Sequence, residues 1–180
     1  MQRGLTSANI PSSWRGASMI SKKIKNTRAI KAIAGRLKAS KKRIVFTNGC
    51  FDILHVGHIR YLRKARSLGD VLVVGLNTDR SVGVIKGEKR PIVPQADRAE
   101  VLAALEFVDY VVFFDEPDPF ALIEKVRPHI LVKGADWTKE KIVGRDLVEK
   151  TGGRVVRIRL VPGASSTGVI ERIIHAYCRK

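Results

Sequence analysis

Four short runs rich in β-branched and aromatic residues, at 44–46, 70–77, 110–114 and 130–132, are separated by stretches of helical period. That alternation limits the architecture more than any other feature. Parallel strands need a long crossover, and a helix supplies it, so the pattern predicts right-handed βα units wound into one parallel sheet. The run Val-Leu-Val-Val-Gly-Leu at 71–76 is nearly all apolar, as expected of a strand covered on both faces. A fifth run at 154–161, carrying Val155, Ile158 and Leu160, reads as an edge strand with one wetter face. The expected fold is α/β, a doubly wound, five-stranded, mainly parallel Rossmann-like sheet with an amphipathic helix in front of it.

The spacing also predicts the helices. Ile59, Leu62 and Ala65 mark one directly after the first strand. Pro94-Gln95 opens a second, with Val101, Leu102, Leu105 and Val108 as its apolar face, and Asp118-Pro119 caps a third carrying Phe120, Ile123 and Val126. A helical stretch from 139 to 150 stops at Gly152-Gly153, and a last helix over 168–178 is expected to bury Val169, Ile170, Ile173, Ile174 and Tyr177. Residues 81–93 read as a long connection holding Lys86, Lys89 and Arg90. A loop of that length with clustered cations is more often functional than structural.

The formal charge of +17 invites a nucleic-acid reading until it is located along the chain. Residues 1–43 carry twelve Lys/Arg and no Asp/Glu, and the remainder carries twenty-two against seventeen. The globular part is therefore only mildly basic. Residues 1–20 show no apolar period and no signal-peptide core; they read as a disordered tail, or as a start assigned too early with Met19 the true one. Residues 21–42, with Ser21 as N-cap and Ile30, Ile33, Ala34 and Leu37 in one stripe, read as a basic amphipathic helix packed on a domain at 43–180. A membrane-surface or nucleic-acid arm is the alternative for that helix. Trp14 is its only nearby aromatic and no nucleic-acid motif occurs, so no specific nucleic-acid partner is expected. No run approaches the roughly 18 apolar residues of a membrane span, and two cysteines far apart make no disulfide framework, which together fit a cytoplasmic protein.

The chemistry concentrates in Thr47-Asn48-Gly49-Cys50-Phe51-Asp52-Ile53-Leu54-His55-Val56-Gly57-His58. A strand ends there in a Gly-bearing loop, and a helix begins with two imidazoles three residues apart. Ligands of open α/β sheets bind at the carboxyl ends of strands, and a helix N-terminus offers free N–H groups and a positive dipole end to an anion. A zinc site is the rival, but His129, His175 and Cys178 lie at no metal-ligand spacing, so no metal site is assigned. Neither the Gly-x-Gly-x-x-Gly fingerprint nor a P-loop is present, so phosphates must be held by this turn and its neighbours. Ser165, Ser166 and Thr167 begin the last helix as plain caps or as a second phosphate cradle.

His55-Val56-Gly57-His58 resembles the His-x-Gly-His signature of the nucleotidyltransferase superfamily. Further segments, Lys86-Gly87 with Arg90-Pro91, Pro94 and Arg98, then Lys133-Gly134-Ala135-Asp136-Trp137, resemble the D-glycero-D-manno-heptose 1-phosphate adenylyltransferase family, as stand-alone enzyme or as half of a kinase fusion. The resemblance runs from about residue 43 to 174. It implies transfer of AMP from ATP, with Mg²⁺, to a sugar 1-phosphate, giving ADP-heptose and pyrophosphate for surface glycans. It implies His55, His58 and Lys86 as catalytic phosphate contacts, and nucleotide contacts from Thr47, Asn48, Gly49, Cys50, Phe51, Gly57, Gly134, Asp136, Ser165, Ser166 and Thr167. Asp52, Asn77, Asp79, Arg90 and Lys133 fall on the sugar-phosphate side. A homodimer or higher oligomer is implied, with the heptose 7-phosphate kinase step on a separate chain. The related glycerol-3-phosphate cytidylyltransferases carry an Arg where Leu160 stands; the adenylyl family often has Gly and Tyr where this chain has Ala135 and Trp137.

Attack by a phosphate oxygen needs no thiol, so Cys50 is expected to be a packing and backbone position. Cys50→Thr should keep most of the turnover measured by pyrophosphate release, and complete loss in a folded variant would contradict that.

Overall fold

The computed structural model describes residues 22–178, so the readings of residues 1–20 and of Ser21 as a cap lie outside the described residues. Its strands are β1 (Ile24–Lys25), β2 (Ile44–Gly49), β3 (Val71–Asn77), β4 (Tyr110–Phe114), β5 (Ile130–Gly134) and β6 (Arg154–Ile158). They form one sheet in the order β1-β4-β3-β2-β5-β6, with every adjacent pair parallel. The helices are α1 (Thr27–Ala39), α2 (Val56–Arg66), α3 (Asp79–Lys86), α4 (Gln95–Ala104), α5 (Phe120–Val126), α6 (Arg145–Lys150) and α7 (Ser166–Tyr177), with a 3₁₀ turn at Lys139–Lys141.

Strand period 2 sorts the apolar residues into two cores. Leu72, Val74 and Leu76 of β3 pack with Leu62 and Ala65 of α2 and Ala99 and Leu102 of α4. Val71 and Val73 pack on the opposite face with Ile30 of α1, Phe46, Leu122 and Ile123 of α5 and Val148 of α6. All of β3 is buried, as its unbroken apolar run requires. From β2 the chain builds outward to β3 and β4, then returns to place β5 and β6 on the other side. The carboxyl ends of β2 and β5 therefore flank a topological switch point, where open α/β sheets form their ligand crevice.

Several expectations change. The sheet has six strands rather than five, because Ile24 and Lys25, within the stretch read as helix, pair with Val111 and Val112. Two residues are too few to show a strand period. Asn26 caps the following helix, its side chain accepting from the Ala29 N–H at 2.8 Å. The supposed loop at 81–93 begins as α3: Thr78 caps it through the Ser81 N–H, and Val82 is fully buried. Val101 and Phe120, expected inside, are 46% exposed each, and Leu122 takes the buried position on α5. The helix expected over 139–150 splits at Gly144, whose φ of 83° breaks helical geometry. β6 ends at Ile158, short of 161, and is indeed an edge, pairing only with β5. The largest departure is α7: none of its residues is buried, and Ile173, Ile174 and Tyr177 are 51%, 53% and 86% exposed.

Gly75 sits mid-sheet in β3, where a Cβ would meet Phe46 at 3.0 Å, Asn48 at 3.1 Å and Leu122 at 3.2 Å. Gly75→Val should destabilise by about 1–3 kcal/mol through overpacking. Urea unfolding checks this; an unchanged midpoint would mean the strand does not lie flat against Phe46 and α5.

Candidate active site

The site is assembled by loops at the carboxyl ends of β2, β3 and β5. After β2 the chain makes a tight excursion in which Phe51 (φ 47°) and Ile53 (φ 54°) both adopt the left-handed conformation. For non-glycine residues this costs of order 1–3 kcal/mol each and persists only where surroundings over-determine it. Asp52, between them, supplies that restraint. Its buried carboxylate accepts from Arg90 Nε at 2.6 Å and from the Ile92 and Val93 N–H groups at 2.9 Å each. Burial alone would raise its pKa, but the two N–H donors and the guanidinium outweigh that and hold it below the usual carboxylate range. Asp52, expected on the sugar-phosphate side, is therefore engaged by the chain itself, and Arg90 spends its Nε on that carboxylate.

Arg98 is the second restraint. It is 2% exposed, and its guanidinium donates to four acceptors: Val93 O at 2.9 Å, Cys50 O, Asn77 O at 3.0 Å and Asp79 Oδ1 at 2.7 Å. One planar cation thus ties the ends of β2 and β3 to α3 and to the Asp52 clamp. Asn77 is also turned inward, donating to Ser81 Oγ at 2.9 Å, so its side chain does not face a substrate. Asp79 keeps a 43% exposed side chain while paired with Arg98. Thr47, fully buried, shares a 2.8 Å hydrogen bond with Tyr61 of α2 and offers a nucleotide no side-chain contact.

His55 is the N-cap of α2, with its Nδ1 accepting from the Gly57 N–H at 3.1 Å. That bond requires a lone pair at Nδ1, so neutral His55 carries its proton on Nε2. The His58 ring stacks on it at 3.9 Å between centroids, with Phe51 edge-on at 5.3 Å. Burial, with His55 alongside, pulls the His58 pKa down to about 4; burial, then Arg172, lowers His55 as well. Both imidazoles are neutral at pH 7 in the free protein. His58 Nδ1 is buried without a partner among the described residues. A Cβ on Gly57 would come within 2.9 Å of the His55 ring and 3.1 Å of Ala164, so only glycine allows this approach of the two loops.

Ala164 belongs to the entry of α7, which brings a second helix N-terminus beside the first. Ser165 caps it, accepting from the Gly168 N–H at 3.0 Å, and Ser166 Oγ donates to Asp52 O. Ser165 and Thr167 are exposed. At the β5 end, Lys133 is 8% exposed, donates to Asn48 Oδ1 and lies 5.6 Å from the Trp137 ring centroid. Asp136 folds back so closely that a Cβ on Gly134 would overlap its carboxylate. Gly49 faces the Phe51 ring, 3.1 Å from where its Cβ would be. Burial raises the Cys50 thiol pKa against Lys86, Arg98 and Arg90, so the thiol is no ready nucleophile. Lys86 is exposed at the end of α3.

A Mg²⁺ would find no cage of three His, Cys, Asp or Glu side chains among the described residues. Asp52 and Asp79 are already paired with Arg90 and Arg98. The chain's own donors fit phosphate, and a Mg²⁺ fits only as an ion carried on it. Tyr61, Arg98 as a buried hub, and Arg172 beside His55 did not stand out as site residues. For Arg98 the signal was its place one turn before Leu102, on the buried stripe of α4.

The family model for cytidylyltransferase-like proteins matches residues 46–172. Bifunctional protein HldE of Geobacter metallireducens is 56% identical over 155 residues, covering 86% of this chain and 32% of that protein. HldE of Syntrophotalea carbinolica is 59% identical over 136 residues, covering 76% of this chain and 28% of the relative. The chain thus spans about a third of the length of these relatives. A lipopolysaccharide core biosynthesis protein from Thermoplasma volcanium superposes with TM-score 0.53 at 30% identity, covering 67% of this chain and 97% of the other. Pantoate-beta-alanine ligase from Francisella tularensis, at 17% identity and TM-score 0.53 over 87% of this chain and 79% of its own, shares the fold. No helix among the described residues is long and apolar enough to cross a membrane.

Replacing Asp52 by Ala strands the Arg90 guanidinium and two N–H groups in the interior. Such a loss should cost roughly 3–5 kcal/mol. Because the folded pKa is lowered, the wild-type advantage should be complete above the unfolded carboxyl's pKa and shrink as pH falls through the folded value. Urea titrations at neutral pH and at about pH 3 check the sign.

Proposed function

Because the chain belongs to the cytidylyltransferase-like family, we propose that it transfers AMP from ATP to D-glycero-D-manno-heptose 1-phosphate, giving ADP-heptose and pyrophosphate for lipopolysaccharide or other surface-glycan synthesis. The observation that carries this reading is the neutral, stacked His55–His58 pair at the N-terminus of α2, with the α7 N-terminus against it. Uncharged imidazoles backed by two positive dipole ends suit a polyphosphate whose charge grows during displacement.

An oxygen of the sugar phosphate, already ionised, attacks the α-phosphorus. The bond from that phosphorus to the bridging oxygen breaks, and pyrophosphate leaves with the electron pair. No proton need be removed, so no general base is required, and the chain's work is in-line positioning and charge stabilisation. His55 and His58 donate to the α-phosphate region; Ser165, Ser166, Thr167 and Lys86 lie toward the other phosphates; Gly134 and Asp136 border the base. Mg²⁺ travels with the triphosphate. The heptose 7-phosphate kinase step of the same pathway is assigned outside residues 43–180, and the enzyme works as a dimer or higher oligomer in the cytoplasm.

Cytidylyl transfer to glycerol 3-phosphate is the second reading, and the HldE relatives do not favour it. Against it, Leu160 sits on the Gly134 turn, 3.2 Å from where its Cβ would lie, and presents hydrocarbon where the cytidylyl group carries Arg. With heptose 1-phosphate, pyrophosphate release should be much faster from ATP than from CTP; equal or better use of CTP would promote the second reading.

His55→Ala and His58→Ala should each lower kcat by about 10²- to 10³-fold, with smaller changes in KM and an unchanged melting temperature. Asn at either position keeps a donor and should do less harm. His129→Ala should leave kcat near wild type, since His129 accepts the Ile44 N–H at the opposite end of β2. Both imidazole pKa values are lowered, His58 to about 4, so any histidine-dependent fall in kcat/KM for ATP should lie below the ordinary imidazole range. A step near 6.5 would contradict the buried, uncharged pair.

A further inference from the structure

Because every strand pair is parallel, the sheet has two unlike ends, and the crevice occupies only the carboxyl one. We propose that the amino end is a docking face for an anionic lipid bilayer, built from Lys38, Lys41, Lys42, Arg43, Arg127 and Arg154. The inference does not depend on what the crevice transfers.

Hydrogen bonds gather these cations at one end. The Lys41 N–H donates to Lys38 O and the Lys42 N–H to Leu37 O, at 2.9 Å each, which folds the end of α1 onto the entry to β2. Lys38 Nζ donates to Val126 O at 2.8 Å, next to Arg127. His129 accepts the Ile44 N–H on its ring and the Arg154 N–H on its carbonyl, at 2.9 Å each, so Arg43, Arg127 and Arg154 stand along the starts of β2, β5 and β6. All but Lys38 are exposed, and among the described residues no ion pair includes any of the six. Two nearby acids are engaged elsewhere: Asp70 accepts the Arg43 N–H at 2.7 Å, and Asp109 pairs with Arg66.

Folding alone gives no reason for cations here. Lys41 (φ 55°) and Arg127 (φ 45°) are left-handed residues that end α1 and α5, where glycine is the ordinary choice and a side chain is strained. Both side chains are exposed, so no packing offsets that strain. The charges also crowd one another: burial, then Arg127, lowers the pKa of Lys38, and burial, then Lys38 and Arg43, lowers that of His129 against Asp70. Strain and repulsion at one place call for an anion from outside.

The kind of anion follows from the elements present. Helices α1 and α5 end here, so their free N–H groups lie away from this face and cannot converge on a single phosphate. Residues 36–43, 125–128 and 151–155 include no aromatic, so nucleic-acid bases find no stacking platform on them. Separate point charges spread over one end match a field of lipid phosphates, where each Lys or Arg near the surface is worth about fivefold in affinity. The seven residues of β3 hold the two ends about 23 Å apart, several times the screening length of about 8 Å. Docking therefore leaves the crevice open and its electrostatics unchanged.

The test is co-sedimentation of the full chain with vesicles of phosphatidylcholine alone and of phosphatidylcholine mixed equally with phosphatidylglycerol, at physiological ionic strength. Wild type should bind the anionic vesicles, ignore the neutral ones and be released by added salt. A triple variant, Lys41→Gly, Lys42→Gln and Arg127→Gly, should bind about tenfold more weakly or worse, yet melt no lower than wild type, since glycine relieves the left-handed strain. A control with the same charge loss at other positions, Lys89→Gln, Lys139→Gln and Lys141→Gln, should stay within about twofold of wild type. Absent or equal binding to the two kinds of vesicle, equal losses in the two triple variants, or a lowered melting temperature in the first would overturn the proposal. So would duplex DNA that displaces the protein from the vesicles and needs the same three cations, because the face would then belong to nucleic acid.

Discussion

Everything at the crevice depends on one buried guanidinium. Arg98 reaches the Cys50 carbonyl at the end of β2, the Asn77 carbonyl at the end of β3, the Asp79 carboxylate on α3 and the Val93 carbonyl beside the Asp52 clamp. Each carbonyl would otherwise be a buried acceptor at a strand end, where the ladder no longer supplies partners. A fully buried charge is tolerable only with its hydrogen bonds made, and here they are made by four separate segments. The strained Phe51 and Ile53 conformations are held between this hub and Asp52, which places Phe51 against His58. The His-x-Gly-His turn is therefore precise because two ion-pair clamps outside it fix the loop that leads into it.

A neutral His pair also follows from packing. Stacking His58 on His55 and Phe51 removes water from the ring, and that desolvation disfavours its protonation, with His55 alongside adding to the effect. The Gly57 N–H, spent on His55 Nδ1, sets which nitrogen donates. The same backbone that starts α2 thus decides the tautomer. Such a pair has hydrogen-bond donors and a helix dipole end to offer an anion rather than full charges, and the formal cations Lys133 and Lys86 stand elsewhere.

The sheet's strands were legible because their apolar runs are long and their crossovers are helical, and the His-x-Gly-His turn was legible because its residue types have few other uses. What was hidden shares one physical cause, namely that tertiary partners overrode local pattern. β1 is two residues long and exists only because β4 offers an edge. α3 hid behind a cluster of cations, although its Thr78 cap and buried Val82 are ordinary helix signals. Asp52, Asn77 and Thr47 have the polar groups of ligand contacts, yet each is consumed by an internal partner that sequence spacing cannot show. α7 has the stripe of a core helix, and its apolar residues stay at the surface.

In the proposed reaction an acceptor phosphate oxygen displaces pyrophosphate at the α-phosphorus of ATP. The most direct test is to supply heptose 1-phosphate labelled with oxygen-18 in all its phosphate oxygens and to analyse the products by mass spectrometry. The account predicts that every label is retained in ADP-heptose, including the oxygen bridging the two phosphorus atoms, and that none enters pyrophosphate. Label in pyrophosphate, or AMP formed without ADP-heptose, would contradict it.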